Sequence, residues 1–435
     1  MLPDPPAYQP VASAKVGDAM RVYIWHGYLL HGTGSNEFTR GLALTMALQG
    51  HEVVVFCQEP EPGNLDLGGA RVIRPPLPGR LPVFVLDRYE GVEPALLPSM
   101  PRDEVDQFVE AQVASIKAAG PADLLITNHV LLGGPVGAGS GLRYIVKVHG
   151  SELEFAMRGH AELCQWAGET LAPAQAVIVG SEHVGRVTLD LVGSGIPQPV
   201  VVTPGVNIEM MAPQEPQDAL AGLIAEAGLD HANDNNERLP DPDNAARFSR
   251  FLAEPDRPTL VYVGKLSREK GVHLLLDAMD GLQARAVIVG FGPARAALED
   301  QAQRMGLDVL FTGPLQHRHL RHLWALATAS VVPSVFPEAF GMVAAEAAAC
   351  GCPPVVARHS GLAEVGAWIE SHLPDDVRIT FDTNDTEDLR RRLAGLIALT
   401  GSQRAQVSAG CRRAVKERWS WEVVADRLIE LGARP

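Results

Sequence analysis

The sequence predicts an α/β protein in which strands and helices alternate and the strands form parallel sheets. Short apolar runs recur along the chain, separated by stretches whose apolar residues have a helical spacing. The clearest example runs from Ser330 to Val365, where a strand, an Ala-rich helix that begins near Gly341 and a second strand at Pro354–Ala357 follow one another. A β-α-β unit of this kind joins parallel strands, and ligands bind at the carboxyl ends of such strands.

Length and composition are typical of a folded protein with more than one domain. The 435 residues suffice for two or three domains, and a hydrophobic content of 46% with a charged content of 20% is typical of an α/β protein. The net charge of −15 argues against nucleic acid or an anionic membrane as a partner. No apolar run reaches the roughly 20 residues that span a bilayer, and the N-terminus lacks a signal-peptide layout. We therefore expect a cytoplasmic protein without a transmembrane segment, and its five cysteines show no zinc or disulfide pattern.

The alternation extends over most of the chain. In the first half it predicts strands at residues 21–25, 53–56, 71–74, 124–127, 144–148, 176–179 and 200–202, and helices at about 38–48, 102–119, 161–171 and 182–192. In the second half it predicts strands at 259–263, 286–289, 309–312 and 354–357, and helices at 271–279, 294–305 and 316–328. Residues 1–19 are rich in proline, and we expect a loosely tethered arm there.

Two carboxylates flank the start of the helix near Gly341. Glu338 precedes the helix and Glu346 lies within it, about 12 Å apart if the whole interval is helical. At that separation they cannot exchange a proton, so we expect them to serve opposite ends of an extended ligand. The free N–H groups around Phe340, Gly341 and Met342 favour an anion such as a diphosphate, and carboxylates accept hydrogen bonds from ribose or hexose hydroxyls. Two ordinary surface glutamates are the alternative interpretation.

Two lysines lie in an earlier turn that follows a predicted strand. The strand ends at Gly264, and Lys265 and Lys270 occupy the turn behind it. Two cations at the carboxyl edge of a parallel strand would neutralise a diphosphate held by the helix described above. For either lysine alone, a solvated charged turn is the better interpretation.

Together these residues resemble the family 4 glycosyltransferases of the GT-B fold. The family signature E-x7-E with F-G inside it is matched from Glu338 to Glu346, and its G-R/K-L-x-x-x-K-G turn is matched from Gly264 to Gly271. The family usually has Arg where Lys265 stands, and an ammonium keeps the charge but lacks the bidentate geometry of a guanidinium. The resemblance covers residues 21 to about 432 except for the segment 208–257, which is longer than the usual family connection.

The resemblance implies a GT-B architecture, with two Rossmann-like β/α/β domains facing an interdomain cleft. It places the N-terminal acceptor domain at residues 20–206, a linker with a helical insertion at 207–257 and the nucleotide-sugar donor domain at 258–417. The C-terminal helix, about 418–435, would return to the first domain. We expect the insertion to be exposed to solvent. The alternative is that it forms a mobile flap over the interdomain cleft.

Further site residues follow from the resemblance or from their place after a strand. The resemblance puts Gly34 near the donor sugar and phosphate and makes His149, at the end of a strand, a contact of the donor hexose; a capped surface histidine is the other interpretation. Asn128 and His129 follow another strand, ahead of a predicted Gly-rich loop, and we place them on the acceptor side, although they could equally lack a ligand. Gly290 could allow close approach of the nucleotide or form a bare tight turn.

The implied reaction is the retaining transfer of a hexosyl unit from a UDP- or GDP-sugar to a hydroxyl acceptor, either a small molecule or a glycan. Charge grows on the leaving phosphate, so Lys265, Lys270, Gly34 and the helix start would stabilise the transition state, while Glu346 would bind ribose and Glu338 the hexose. Because the two lysines supply positive charge, we expect no metal and no cofactor. An epimerase or phosphorylase of the same fold, or a binding subunit without activity, are the alternatives.

Overall fold

A computed structural model describes residues 19–30, 34–86, 91–231, 239–254 and 256–433. Nearly all of the predicted N-terminal arm, and Gly32 and Thr33 of the loop before Gly34, lie outside these described residues. The described residues form two compact units. The first contains the described residues through Val179, Val187–Val202 and the residues from Trp421 onward, and the second contains Gly180–Arg186 and Thr203–Ser420. The boundaries expected near residues 206 and 257 stay predictions.

The described strands are short, and most of them are buried. They are β1 Arg21–Trp25, β2 Glu52–Phe56, β3 Arg71–Ile73, β4 Leu81–Val83, β5 Pro94–Leu96, β6 Leu124–Asn128, β7 Tyr144–Lys147, β8 Ala176–Val179, β9 Val200–Val201, β10 Thr259–Val263, β11 Arg285–Val289, β12 Val309–Gly313, β13 Ala329–Val332, β14 Pro354–Ala357 and β15 Thr380–Phe381.

The helices fill most of the intervals between these strands. They are α1 Gly34–Leu48, α2 Arg102–Ala118, α3 Val130–Ser140, α4 Ala161–Leu171, α5 Glu182–Val192, α6 Pro216–Ala227, α7 Asn244–Phe251, α8 Val272–Ala278, α9 Arg295–Arg304, α10 His317–Ala325, α11 Met342–Ala349, α12 Ser360–Glu370, α13 Thr386–Ile397, α14 Gly401–Arg418 and α15 Trp421–Ala433. In the described ranges, none of these helices combines the length and the apolar content needed to cross a bilayer.

The first unit is built on a seven-stranded parallel sheet. Its strand order is β3-β2-β1-β6-β7-β8-β9, so the chain turns from one side of β1 to the other when it reaches β6. Helices α1 and α15 pack against each other beside this sheet, and the indole ring of Trp421 fills the space that a side chain at Gly41 would need. The strand order reverses between β1 and β6. The loops that follow the two strands at such a reversal run to opposite sides, which leaves a crevice for a ligand at the carboxyl ends of the strands.

The second unit repeats the same plan with six parallel strands. The order β12-β11-β10-β13-β14-β15 reverses between β10 and β13. The predicted α/β class with parallel sheets in two domains is therefore confirmed. Most predicted strands agree with the structure to within one or two residues, because a strand buried on both faces gives a continuous apolar run in the sequence.

The prediction of a Gly-rich loop after His129 is wrong, because helix α3 occupies this position. The glycines of α3 allow close packing and do not mark a loop. A Cβ atom at residue 133 would lie 2.4 Å from the Asn128 carbonyl oxygen, and one at residue 137 would lie 2.2 Å from the Tyr144 ring. Further along the chain, Ser360 begins the first turn of α12, directly after β14.

The segment 208–257 is also different from the prediction of a solvent-exposed insertion. Leu223 of α6 and Phe248 of α7 are fully buried in the core of the second unit. The guanidinium of Arg285 on β11 donates to the carbonyl oxygens of Phe251 and Glu254, at 2.5 and 2.8 Å. The two helices are therefore part of the second unit, because their apolar faces cover its core.

The loops that follow β10 and β11 contact each other through their backbones. Gly290 has a φ of 137°, and a Cβ atom there would lie 1.8 Å from the carbonyl oxygen of Gly264. The Gly264 N–H donates to the Val289 carbonyl at 3.0 Å, which holds the two loops at this separation. Gly290 thus has a structural reason to be glycine that does not depend on a bound nucleotide.

We expect Gly290→Ala to lower the free energy of unfolding by at least about 2 kcal/mol, because the new methyl group would collide with the backbone and alanine is strained at this φ. Gly395→Ala is the matched control, since Gly395 lies exposed on α13 and no atom lies within 4 Å of the position that a methyl group would take. The control should gain up to about 1 kcal/mol. Urea unfolding of both variants checks this, and equal stability of wild type and Gly290→Ala would contradict it.

Candidate functional site

In the second unit, the turn after β10 is hydrogen-bonded to the loop after β13. The turn contains a short 3₁₀ helix, Arg268–Lys270, and the Glu269 carbonyl oxygen accepts from the N–H groups of Val335 and Phe336 at 2.8 and 3.3 Å. Next to it, Gly271 packs so closely that a Cβ atom would lie 1.9 Å from the Pro333 carbonyl oxygen. Two segments about 60 residues apart in sequence are thus fixed together where the strand order reverses.

The contact between these segments brings together two of the predicted site residues. The Lys270 ammonium donates to the Glu338 carboxylate, and both side chains are about one-quarter to one-third exposed. Burial is the main cause of a raised pKa of the Tyr262 hydroxyl, and the Glu338 charge contributes to the same shift. This hydroxyl donates to the Lys265 carbonyl oxygen at 2.9 Å. A partly exposed ion pair of this kind stabilises a fold by at most about 1 kcal/mol. The position of the pair is therefore more informative than its contribution to folding stability.

The loop that holds Glu338 is supported by the start of α12. The Glu338 N–H donates to the Ser360 hydroxyl at 2.9 Å, and the Gly361 N–H donates to the Glu338 carbonyl oxygen at 2.9 Å. His359 donates through Nε2 to the Ser334 carbonyl oxygen at 2.6 Å. These bonds fix the backbone on both sides of the carboxylate and leave its side chain beside Lys270.

Glu346 lies on α11 and is only 8% exposed. Its Oε1 accepts a hydrogen bond from His317 Nε2 at 3.1 Å. Helix α11 begins after Gly341, whose φ is 111°, and the Phe340 ring is buried edge-on against Trp419 at 5.2 Å between ring centres. Phe340 therefore anchors the helix start in the core, and it can contribute only its backbone to an anion.

Three further predicted residues of the donor site have less specific surroundings. The side chain of Lys265 is exposed, and its charge is one of the smaller influences that keep the pKa of Glu269 low, after hydrogen bonds from the Glu269 backbone and Ser267. Met342 begins α11, where the first N–H groups lack helical acceptors. Gly34, in the first unit, begins α1 with open space on its side-chain position.

In the first unit, the other predicted residues gather where β1, β6 and β7 end. His149 Nε2 lies 2.7 Å from Asn128 Oδ1, and the His129 and His149 rings are 4.7 Å apart. His26, which follows β1, stacks on His129 at 5.9 Å and contacts Asn36 Oδ1 through Nε2 at 2.8 Å. Asn128 is buried with both ends of its amide engaged, so contact with an acceptor would require those bonds to break.

A buried carboxylate holds this cluster together. Glu152 is fully buried and accepts hydrogen bonds from the N–H of His149 at 3.0 Å, from the N–H of Val130 at 3.4 Å and from His129 Nδ1 at 3.3 Å. Burial works against the charged form, but the charge of His129 and these hydrogen bonds prevail and lower the pKa of Glu152. Glu152 thereby ties the loop after β6 to the loop after β7.

Two histidines of the cluster, His26 and His149, stay neutral. Burial, followed by repulsion from His129, lowers the pKa of His26 to about 3. Burial and repulsion from His129, Lys147 and His26 lower the pKa of His149 well below its ordinary value. A neutral imidazole binds through hydrogen bonds and supplies no positive charge.

Lys147 is a functional candidate that sequence reasoning missed, as are His26 and Glu152. Its side chain is buried, its Nζ donates to the Val202 carbonyl oxygen at 2.5 Å, and it lies 5.1 Å from the centre of the Phe38 ring. Burial lowers its pKa to about 7, although the Glu152 charge opposes this shift. The signal for Lys147 was a charged residue inside an apolar strand two positions before His149.

Two family models of known proteins match this chain, one in each half. The family model of the glycosyl transferase 4-like domain matches residues 33–205, and that of the glycosyl transferases group 1 matches residues 244–412. The chain belongs to the family 4 glycosyltransferases. This family membership confirms the resemblance seen in the sequence, and the second match begins at α7, within the segment that we expected to be an insertion.

Two curated relatives of this chain are similar over part of their length. The D-inositol 3-phosphate glycosyltransferase of Xylanimonas cellulosilytica is 29% identical over 275 residues, which cover 61% of this chain and 58% of the relative. A GDP-mannose-dependent alpha-(1-6)-phosphatidylinositol dimannoside mannosyltransferase of Mycobacterium tuberculosis is 35% identical over 196 residues, covering 43% and 47%. The chain thus spans about half the length of the curated relatives it matches.

Solved structures share the fold of this chain over nearly all of its length. Sucrose-phosphate synthase from Thermosynechococcus elongatus has a TM-score of 0.66 at 22% identity, covering 94% of this chain and 98% of that one. HepE from Anabaena, solved in complex with UDP, has a TM-score of 0.67 at 17% identity, covering 94% and 99%. At these identities the likeness concerns the GT-B fold alone.

Lys147 gives this protein a measurable pH dependence of stability. Its pKa of about 7 in the folded protein lies below the ordinary value of 10.5, so the unfolded chain binds more protons between these values. Wild-type stability therefore rises with pH from about 7 to about 10, by a few kcal/mol. Lys147→Met lacks this rise, because methionine does not titrate.

Thermal unfolding of wild type and variant at about pH 7 and about pH 9.5 measures this effect. The gap between the two melting temperatures should widen in favour of wild type at the higher pH. Lys117→Met, which removes an exposed lysine of α2 in the same unit, should follow wild type. Parallel pH profiles of the melting temperature for wild type and Lys147→Met would show that burial does not lower the pKa of Lys147.

Proposed function

We propose that this protein is a retaining glycosyltransferase that moves a hexosyl unit from a UDP- or GDP-sugar to a hydroxyl acceptor. The observation that carries the proposal is the contact between Lys270 and Glu338 at the strand-order reversal of the second sheet, with Glu346 on the helix that follows. Family membership supports it, as do relatives named for a GDP-mannose-dependent transfer and for glycosyl transfer to inositol 3-phosphate. HepE was solved with UDP-glucose.

The donor diphosphate would lie between the lysines and the start of α11. Its negative charge is compensated by the ammonium groups of Lys270 and Lys265 and by the N–H groups of the first helical turn. The ribose hydroxyls would donate to Glu346, whose Oε1 already accepts from His317. Within the described residues, its Oε2 has no hydrogen-bond partner, so this oxygen is the acceptor that the ribose would use.

The Lys270–Glu338 pair gives the hexose and the leaving group neighbouring partners. As the bond from the anomeric carbon to the phosphate oxygen breaks, its electron pair goes to the diphosphate, and Lys270 stabilises that growing charge. Glu338 accepts hydrogen bonds from hexose hydroxyls and keeps Lys270 in place. The acceptor oxygen forms the new bond on the same face of the sugar, and the departing phosphate takes the acceptor's proton, so no separate base is required.

A screen of nucleotide sugars by thermal shift tests donor binding. A sugar nucleotide present at about 100 times its dissociation constant stabilises the folded protein by about 2.7 kcal/mol, which raises the melting temperature. Lys270→Ala and Glu346→Ala each remove a charged hydrogen-bond partner, which weakens binding by about 10- to 100-fold and abolishes most of the shift. Lys416→Ala, an exposed lysine on α14 of the same unit, is the matched control and should keep the full shift.

The same experiment can reject the donor site. A wild-type shift that persists unchanged in both Lys270→Ala and Glu346→Ala would place the nucleotide elsewhere. Melting temperatures without ligand are recorded for both variants, and that of Lys270→Ala must remain close to wild type, because the partly exposed Lys270–Glu338 pair contributes at most about 1 kcal/mol.

Product analysis distinguishes transfer from the alternative activities. With the donor that gives the largest shift and a panel of hydroxyl acceptors, we expect a glycoside whose anomeric configuration matches that of the donor, as seen by proton NMR. A chelator should leave the rate within about twofold, because the lysines already supply the positive charge that a metal would provide. An epimerised nucleotide sugar, an inverted product or a strict need for Mg²⁺ would each contradict the corresponding part of the proposal.

A further inference from the structure

Asn128 connects three neighbouring strands of the first sheet through its side chain. It ends β6 and is fully buried. Its Nδ2 lies 3.1 Å from the carbonyl oxygen of Trp25, the last residue of β1, and its Oδ1 lies 2.7 Å from Nε2 of His149, just after β7. The amide therefore bridges the backbone of one strand to an imidazole beyond another.

This geometry determines which nitrogen of His149 carries the proton. A backbone carbonyl oxygen can only accept a hydrogen bond, so the Asn128 group that faces Trp25 must be the NH₂. The amide oxygen then faces His149 and can likewise only accept, so His149 must donate from Nε2. In the neutral ring, Nδ1 is left with a lone pair, and no described residue is hydrogen-bonded to it.

The surroundings of His149 keep the ring neutral. Positive or protonatable groups face it from three elements: His129 after β6, Lys147 on β7 and His26 after β1. Phe38 of α1 covers one edge at 5.6 Å between ring centres. The one nearby carboxylate among the described residues, Glu152, binds the backbone N–H of His149 and the ring of His129 instead of the His149 ring.

We propose that Asn128 is a positioning residue that locks His149 in the Nε2–H tautomer, so that Nδ1 accepts a hydrogen bond from a hydroxyl of the donor sugar. The second part rests on the proposed function, whereas the tautomer lock does not. His149 then selects a group that carries a proton, because a carboxylate or phosphate oxygen would meet the Nδ1 lone pair with its own. Asn128, which we expected beside the acceptor, acts on the donor side through His149.

The tautomer can be observed directly by NMR of the full chain labelled with ¹⁵N-histidine. Long-range ¹H–¹⁵N spectra distinguish a protonated ring nitrogen from one with a lone pair, and His149→Gln identifies the signals of His149. Wild type should show a protonated Nε2 and a lone pair on Nδ1. Asn128→Leu removes both bonds and should give averaged signals from the two tautomers, while Asn128→Asp still accepts from Nε2 and should keep that nitrogen protonated.

Asn36→Leu is the matched control, since Asn36 contacts His26 through the same kind of bond in the same cluster. It should leave the His149 signals unchanged. A wild-type ring protonated at Nδ1 alone would overturn the lock, and so would Asn128→Leu with an unchanged His149 spectrum. The wild-type spectrum decides this point even if Asn128→Leu does not fold.

Binding measurements test the contact with the sugar. We expect Asn128→Leu to bind the intact nucleotide sugar about 3- to 10-fold more weakly than wild type, the value of one hydrogen bond, and to bind the free nucleoside diphosphate equally well. Equal loss for both ligands, or no loss for either, would overturn the sugar contact. If wild type binds no nucleotide sugar while its spectrum shows the lock, the proposed function fails and the tautomer assignment stands.

Discussion

The site on the second sheet depends on backbone packed directly against backbone. The loops after β10, β11 and β13 meet the first turn of α12 at its carboxyl edge. At each meeting point at least one residue lacks a side chain: Gly290 against Gly264, Gly271 against Pro333, and Gly361 against Ala339. A side chain at any of these points would force the loops apart. Lys270 and Glu338 can contact each other only because their loops are this close. The strand-order reversal between β10 and β13 creates the crevice, and the glycine contacts set the positions of the charges beside it.

The first sheet fixes its candidate residues by another means, which is the burial of polar side chains. Glu152 and Asn128 are fully buried, and each is bonded to backbone groups of neighbouring loops or strands. An unpaired buried amide or carboxylate costs several kcal/mol, so these bonds permit few alternative arrangements of the loops after β6 and β7. The orientation of His149 is therefore a consequence of folding the sheet and does not require a ligand.

The sequence was sufficient for the fold class and for the selection of Lys270 and Glu338, which the structure brings into contact, but it did not reveal the partners of the other candidate residues. Strands such as β8 and β10 were predicted to the residue because burial on both faces leaves an unbroken apolar run. Helix α3 was missed because a run rich in glycine usually indicates a loop. In α3 the glycines instead allow close packing, for example on Tyr144. Glu152 and His26 were overlooked because their partners, His129 and Val130 for Glu152 and Asn36 for His26, come close to them only in the folded chain. The burial of α6 and α7 was likewise decided by contacts with residues far away in the sequence.

The two groups of residues differ in charge in a way that fits the proposed chemistry. Lys270 and Glu338 of the second unit form a partly exposed ion pair, whereas the imidazoles of His26 and His149 in the first unit are neutral. A leaving diphosphate gains charge during bond breaking, so fixed cations lower the energy of the transition state more than that of the bound substrate. A sugar gains only partial charge and presents hydroxyl groups, which neutral acceptors recognise without the desolvation cost of a buried ion. Burial that keeps His149 uncharged is therefore suited to holding a hydroxyl, and it would be unsuited to holding a phosphate.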